Sequence, residues 1–242
     1  MRETIDQKYI ALAAKYGVAL RVTHVSDDSA PVQEIVSGEE GAEIRLNVSK
    51  IKDEEYETYL TYNVREVLLP KLVLETERLR IRHCEDKDAE HLFEVFHDRE
   101  SCYNDGGYEP FESMDEEYAE LIELFKSAEG RYVVALKESD EAIGVVNLML
   151  CRDRAVETNE LGYRINPSKR RQGYTFEAVS TLLDFVLNEL HLDMVVAGAL
   201  EDNIPSLNML KKLGFTFEGR KHKAFWHPVK GAVDLLYHYK ER

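Results

Sequence analysis

The run Arg170-Arg171-Gln172-Gly173-Tyr174-Thr175 joins cations, a glycine and hydrogen-bonding side chains in one turn, a combination suited to holding phosphates. Upstream, Leu161-Gly162-Tyr163-Arg164-Ile165-Asn166 has a strand's composition and stops at Pro167-Ser168. Downstream, Val179, Leu182, Leu183, Val186 and Leu190 fall on one face of a helix that starts near Gly173. The first amides of a helix have no internal partner, and the aligned peptide dipoles make that end positive, so a pyrophosphate is a natural guest. Gly173 lets the main chain come close to it. Arg164, Lys169, Arg170 and Arg171 add cations with no acid among them, in a chain of formal net charge -15. For one glycine in one loop, an ordinary basic strand-to-helix turn is an equal reading.

The next element adds to this. Met194 to Leu200 reads as a strand, and Asn203-Ile204-Pro205-Ser206 opens a second helix that ends at Gly214. Asn203 is placed to cap it, Pro205 suits its first turn, and Gly214 suits a left-handed stop.

Five segments recur in a recognisable order: Leu74-Glu75-Thr76-Glu77-Arg78-Leu79-Arg80-Ile81-Arg82, Glu160-Leu161-Gly162-Tyr163, the phosphate turn, Asp202-Asn203-Ile204-Pro205-Ser206 with Lys212-Leu213-Gly214-Phe215, and Val233-Asp234-Leu235-Leu236-Tyr237. Together they resemble the GNAT superfamily of acetyl-CoA-dependent N-acetyltransferases, most closely the branch containing the ribosomal-protein N-terminal alanine acetyltransferases. The resemblance spans 72–242 and implies an α/β, three-layer acyltransferase fold with a mixed central sheet. It implies acetyl-CoA as cofactor, held by Arg164, Ile165, Arg170, Arg171, Gln172, Gly173, Tyr174, Thr175 and Asn203. It also implies that the strand through Gly162 to Ile165 grips the pantetheine arm and polarises the thioester.

Two departures from the family pattern stand out. The last small residue of the phosphate signature is replaced by Thr175, followed by bulky Phe176, which narrows the approach. The tyrosine that many relatives place four residues before the glycine of Leu-Gly-Phe is Leu210 here, so a thiolate acid has to come from elsewhere.

The chemistry asks for little. An amine loses a proton and attacks a thioester while donors hold the developing oxyanion, and a thiolate departs. By resemblance, Glu160 is the candidate base and Ser206 the candidate acid or thiol contact. Their bland readings are a solvated strand carboxylate and a helix-start hydroxyl; Asn203 is equally pantetheine contact or N-cap. No motif points to a covalent acyl-enzyme. The rival from another class is a catalytically silent acyl-CoA-binding regulatory or interaction module, motivated by Thr175, Phe176 and Leu210.

Between Cys84 and Glu120 nearly every charge is acidic, Lys87 and Arg99 excepted, which suits steering of a cationic amine, or simply decorates solvated helix faces. Ser113 and Glu116 read as a capping box there. The loop from Cys102 to Phe111 and the segment Phe225-Trp226-His227-Pro228 are candidates to line the acceptor pocket. The expected acceptor is a peptide or small-molecule amine, with a protein N-terminus first.

No histidine pair has convincing metal spacing, and His222 and His227 read as loop residues, so no metal is expected. Three unpaired cysteines suggest a reducing compartment, and no run is long and apolar enough to span a membrane, so a cytoplasmic location is expected. Nothing basic enough for nucleic acid is present, and a homodimer is compatible with the resemblance.

With 242 residues and 44% apolar content the chain can hold two units. Residues 1–71 read as a small α+β domain of unstated role, helix-strand-strand-helix, with Ile5, Tyr9, Leu12 and Tyr16 facing inward. The boundary falls near Lys71, after Pro70 ends a helix lined by Tyr56, Tyr59, Leu60, Val64, Val67 and Leu68.

Overall fold

The computed structural model describes residues 1–38, 41–104, 109–127 and 130–242. The chain divides into two compact units, one of Met1–Leu72 with Glu189–His191, the other of Val73–Asn188 with Leu192–Arg242.

In the first unit, α1 (Arg2–Lys15) is followed by β1 (Leu20–Val25), β2 (Gln33–Gly38), β3 (Gly41–Asn47) and α2 (Tyr56–Leu68). The strands form a sheet in the order β1-β3-β2, with β1 parallel and β2 antiparallel to β3. The sequence pattern gives two strands and misses β2. That strand is an edge with exposed or half-exposed residues throughout, so burial imposes little alternation on it. Helix α1 also turns a different face inward: Asp6, Tyr9 and Ala13 are buried, while Ile5, Leu12 and Tyr16 are only half-buried. Asp6 is tolerated there because Tyr56 donates its hydroxyl to it at 2.5 Å and His24 stands 2.8 Å away.

The second unit contains one eight-stranded mixed sheet. Its strands are β4 (Leu74–Glu75), β5 (Leu79–Arg82), β6 (Arg131–Leu136), β7 (Ala142–Cys151), β8 (Thr158–Ile165), β9 (Met194–Leu200), β10 (Thr216–His227) and β11 (Gly231–Glu241). They lie in the order β10-β11-β9-β8-β7-β6-β5-β4, antiparallel except for the β8–β9 pair. Helices α3 (Ala89–His97), α4 (Arg99–Asn104), α5 (Glu116–Ser127), α6 (Tyr174–Asp184) and α7 (Ile204–Lys212) complete it.

Leu92, Val95 and Phe96 of α3 and Ile122 and Phe125 of α5 bury against Val133, Ala135 and Val145 of the sheet. Helix α6 buries Val179, Leu182 and Leu183, and its apolar stripe continues through Val186 in a π-turn at Phe185–Glu189. Asp115 begins α5 by accepting from the Tyr118 amide, while Ser113 donates to Asp115 instead of capping. A carboxylate one residue from the helix outcompetes a serine three residues away. His222 and His227 lie in β10, not in a loop.

Candidate functional site

Strands β8 and β9 run side by side only as far as Glu160, which is in register with Val196. Beyond that pair they part. β8 stays bonded to β7 through Ile165 opposite Gly144, and β9 stays bonded to β11 through Leu200 opposite Leu235. The facing edges therefore present main-chain donors and acceptors with no strand between them. A cleft of about 510 Å³ opens there, lined by Leu161 to Arg164, Ala197 to Leu200 and the start of α7. An extended amide-bearing chain can fill such a gap as an added strand, which is what the pantetheine arm of acetyl-CoA offers. Arg164 and Ile165 belong to this edge.

At the outer end, Gly173 is the residue before α6 with φ 85°, and Arg171 is also left-handed at φ 63°. No acceptor among the described residues meets the main-chain amides from Arg171 to Phe176. Bare donors on a helix start are what a pyrophosphate requires, so the turn fits that group. Phe176 turns its side chain toward α7. The ring lies under Lys212 Nζ of α7, 4.0 Å from its centroid.

The cations are distributed differently from what the sequence suggests. Arg170 pairs with Asp98 at 2.7 Å and donates to Ser101; Lys169 pairs with Glu141 at 2.9 Å. Burial tends to raise the Asp98 pKa, but hydrogen bonds from Ser101 and the Arg170 charge outweigh it and the net direction is down. Arg164 places its guanidinium over the Phe96 ring, at 5.4 Å. Arg164 and Arg170 thus serve the α3 and α4 side of the fold, and Lys169 the turn that leads into β7. Arg78 takes their place: it stacks on Tyr174 at 4.5 Å, binds Glu177 and donates to the Gln172 carbonyl at 3.1 Å. A Cβ on Gly173 would stand 3.4 Å from Arg78 Nη2. Arg78 lies far away in sequence, in the bend between β4 and β5, and although it falls within the opening segment that carries the resemblance, no local pattern ties it to the phosphate turn.

Alternation along β8 sends Glu160, Gly162 and Arg164 to one face and Leu161, Tyr163 and Ile165 to the other. Arg164 meets α3 and Tyr163 meets α7, so these helices cover opposite faces and the cleft pierces the sheet between them. Glu160 sits where the strands part. Its Oε1 accepts from the Tyr237 hydroxyl at 3.2 Å. Burial first, then the Glu160 charge, pushes the Tyr237 phenol up to about 12, which keeps it a donor. Gly198 makes room: a Cβ there would come within 3.3 Å of the Tyr237 ring and 3.6 Å of Glu160 Oε1.

On the other face, Asn203 Oδ1 accepts from the Ser206 amide at 3.1 Å and so caps α7, while its Nδ2 donates to the Asn104 carbonyl at 2.8 Å. Ser206 and Asn203 both line the cleft, as does apolar Leu210 one turn on. Tyr237 and Tyr163 are absent from a reading of spacing alone, because only the strand register brings each to its partner.

The acceptor wall is less acidic than its helices. Phe96, Phe111, Leu121, Leu124 and Phe125 line the cleft, with Glu109 the acid and Arg131 and Arg164 the cations that join them there among the described residues. The acids of α3 and α5 lie on exposed faces. Of the loop expected from Cys102 to Phe111, the first three residues end α4 and 105–108 lie outside the described residues. His227 is buried, with Nε2 3.1 Å from the Tyr103 carbonyl, but Trp226 is 73% exposed, and neither lines the cleft. Among the described residues no cluster of histidine, cysteine and acids could hold a metal, and no helix is long and apolar enough to cross a membrane.

A parted parallel strand pair beside a helix start with bare amides defines a class of acyl-carrier-dependent transferases, and comparison with known proteins gives the family. The pattern described as acetyltransferase (GNAT) domain matches residues 78–216, and the chain belongs to that family. The chain is 30% identical over 152 residues to the uncharacterized N-acetyltransferase YoaA of Bacillus subtilis (strain 168), covering 61% of this chain and 84% of that one. It is 26% identical over 166 residues to the [ribosomal protein uS5]-alanine N-acetyltransferase of Escherichia coli (strain K12), covering 62% and 81%. Its fold is similar to that of spermidine N-acetyltransferase from Vibrio cholerae in complex with CoA and spermine, with TM-score 0.57 and 22% identity over 69% of this chain and 96% of that one. The protein is an acetyl-CoA-dependent N-acetyltransferase.

Proposed function

We propose that the cleft carries an acetyl group from acetyl-CoA to a primary amine by direct attack in a ternary complex. The observation behind this is the parting of β8 and β9 after Glu160, which joins the two faces of the sheet through one opening. Acetyl-CoA supplies the activated thioester. The bare amides from Arg171 to Thr175 hold its pyrophosphate, with Gly173 at the closest approach. The β8 edge at Arg164 and Ile165 grips the arm, and Asn203 flanks it. Arg170 acts by tying this loop to α4, not by touching phosphate.

Glu160, fixed by Tyr237, takes the amine's proton directly or through water on the α3 and α5 side. Ser206 meets the sulfur on the α7 side. Attack from one face and departure to the other need no covalent acyl-enzyme. The acceptor is a protein N-terminal amine or a small cationic amine, drawn in by the acidic exterior of α3 and α5. Residues 73–242 hold all of these groups, and the N-terminal unit is left a role in packing, pairing of copies or acceptor choice.

Glu160→Gln tests the assignment. It is expected to lower kcat/KM by roughly 10²-fold, mainly below the pKa of the amine, because there the base is needed most. An unchanged pH-rate profile removes Glu160 as base. Binding of acetyl-CoA with no turnover of any amine in a panel favours the silent module instead.

A further inference from the structure

The departing sulfur leaves on the α7 side, and a pair of hydroxyls lies there. The Tyr163 phenol oxygen stands 3.0 Å from Ser206 Oγ and 3.5 Å from the Ser206 main-chain oxygen. Both residues line the cleft, and among the described residues that line it no other has a hydroxyl. Nor is the Ser206 hydroxyl used up in capping. Asn203 already accepts from the Ser206 amide, so the serine side chain is spare and is turned to the phenol.

We propose that Tyr163 and Ser206 form a two-hydroxyl proton relay, with Ser206 in contact with the sulfur and Tyr163 as the proton source behind it. This rests on the acetyl-transfer reading above and adds a residue to it. An aliphatic hydroxyl alone is a poor acid. A phenol near pKa ~10 lies within about 1.5 units of a thiol near ~8.5, close enough for transfer to be matched. Leu210, on the same face of α7 one turn further, supplies no donor.

The step balances as follows. The N–C bond forms and the C–S bond breaks with its electron pair going to sulfur. Sulfur takes the Ser206 proton as Ser206 Oγ takes that of Tyr163. The phenolate regains a proton from water, and the amine's proton leaves through Glu160.

The experiment compares wild type, Tyr163→Phe and Ser206→Ala. Tyr163→Phe is expected to lower kcat by roughly 10²-fold with the amine KM held within about twofold. The loss should shrink for acetyl thioesters of more acidic thiols, which need less protonation. A second readout is independent of turnover: the apparent pKa of the thiol of bound CoA, followed by thiolate absorbance. Wild type should hold it below that of free CoA, and both variants should return it toward the free value. Undiminished kcat together with an unmoved thiol titration in Tyr163→Phe overturns the relay. If Tyr163→Phe does not fold, fluorotyrosine at position 163 replaces it. It should move the alkaline limb of kcat to lower pH, and an unmoved limb overturns the relay equally. Wild type that neither binds CoA nor acetylates any amine defeats the acetyl-transfer reading itself, whereas active wild type with an equally active Tyr163→Phe defeats the relay alone.

Discussion

Helices α6 and α7 each follow a strand of the same sheet, yet they begin in opposite ways. α7 is satisfied from within: Asn203 accepts from the Ser206 amide, and Pro205 in the first turn removes a donor altogether. α6 follows a glycine with no side chain to offer, and the amides from Arg171 to Phe176 meet no acceptor among the described residues. Left-handed backbone at Arg171 and Gly173 holds those amides in place, at a conformational cost for the arginine. A helix start that caps itself is a joint, whereas one with bare donors is completed by a guest. The difference separates a binding end of the cleft from an end whose helix contributes a side chain to the chemistry.

The sharpest way to erase the difference is to give α6 a cap of its own. Gly173→Asp places a carboxylate on the bare amides and beside Arg78, where a Cβ would stand 3.4 Å from Nη2. Aspartate tolerates the left-handed conformation at about 1 kcal/mol or more. We expect the dissociation constant for acetyl-CoA, measured by calorimetry, to rise at least about 100-fold while the melting temperature moves by only a few degrees, since a lost multi-amide anion site outweighs one backbone strain. Unchanged affinity would remove the turn as the pyrophosphate site.

Stripping the cap from α7 should do the reverse. Asn203→Ala removes an N-cap and the hydrogen bond to the Asn104 carbonyl, together roughly 2 kcal/mol. That corresponds to about 4–8 °C in melting temperature for a unit of this size, with coenzyme affinity falling no more than about tenfold. A larger loss of affinity than of stability would mean that Asn203 is chiefly a coenzyme contact.

These two helix starts also illustrate what a sequence can carry. Both are legible because their determinants are local: a glycine, a capping asparagine, a proline and a second glycine at fixed offsets, each with a conformational reason. The stripe of α6 and the bounds of β9 follow from apolar period in the same way. The groups that complete the site are not local. Arg78 reaches Gly173 across 95 positions of chain, and Tyr237 reaches Glu160 only because β9 lies between their strands with a glycine at the crossing. The cations of the phosphate turn mislead for a related reason. Composition marks Arg170 and Lys169 as positive but cannot show that Asp98 and Glu141 neutralise them. Strand β2 escapes because an exposed edge imposes no pattern.

The smallest expected effect concerns the first turn of α6. Glu177 accepts from the Thr76 hydroxyl at 2.5 Å and from Arg78 Nε and Nη2 at 2.8 and 2.6 Å, pinning the bare helix start to the opening strands. Partial burial raises its pKa, but the hydrogen bonds from Thr76 and Arg78 outweigh it and the folded value lies below the ordinary one. A carboxyl whose pKa is depressed on folding contributes its stability fully above the unfolded value, near ~4.3, and loses it as pH falls through the folded value. Glu177→Gln should therefore cost about 1–2 kcal/mol at neutral pH, discounted for the partial exposure of both partners, and converge with the parent in acid. Melting curves from neutral pH to acid check this. A constant gap across the range would mean that packing of the side chain, not its charge, holds the turn in the shape that leaves its amides open.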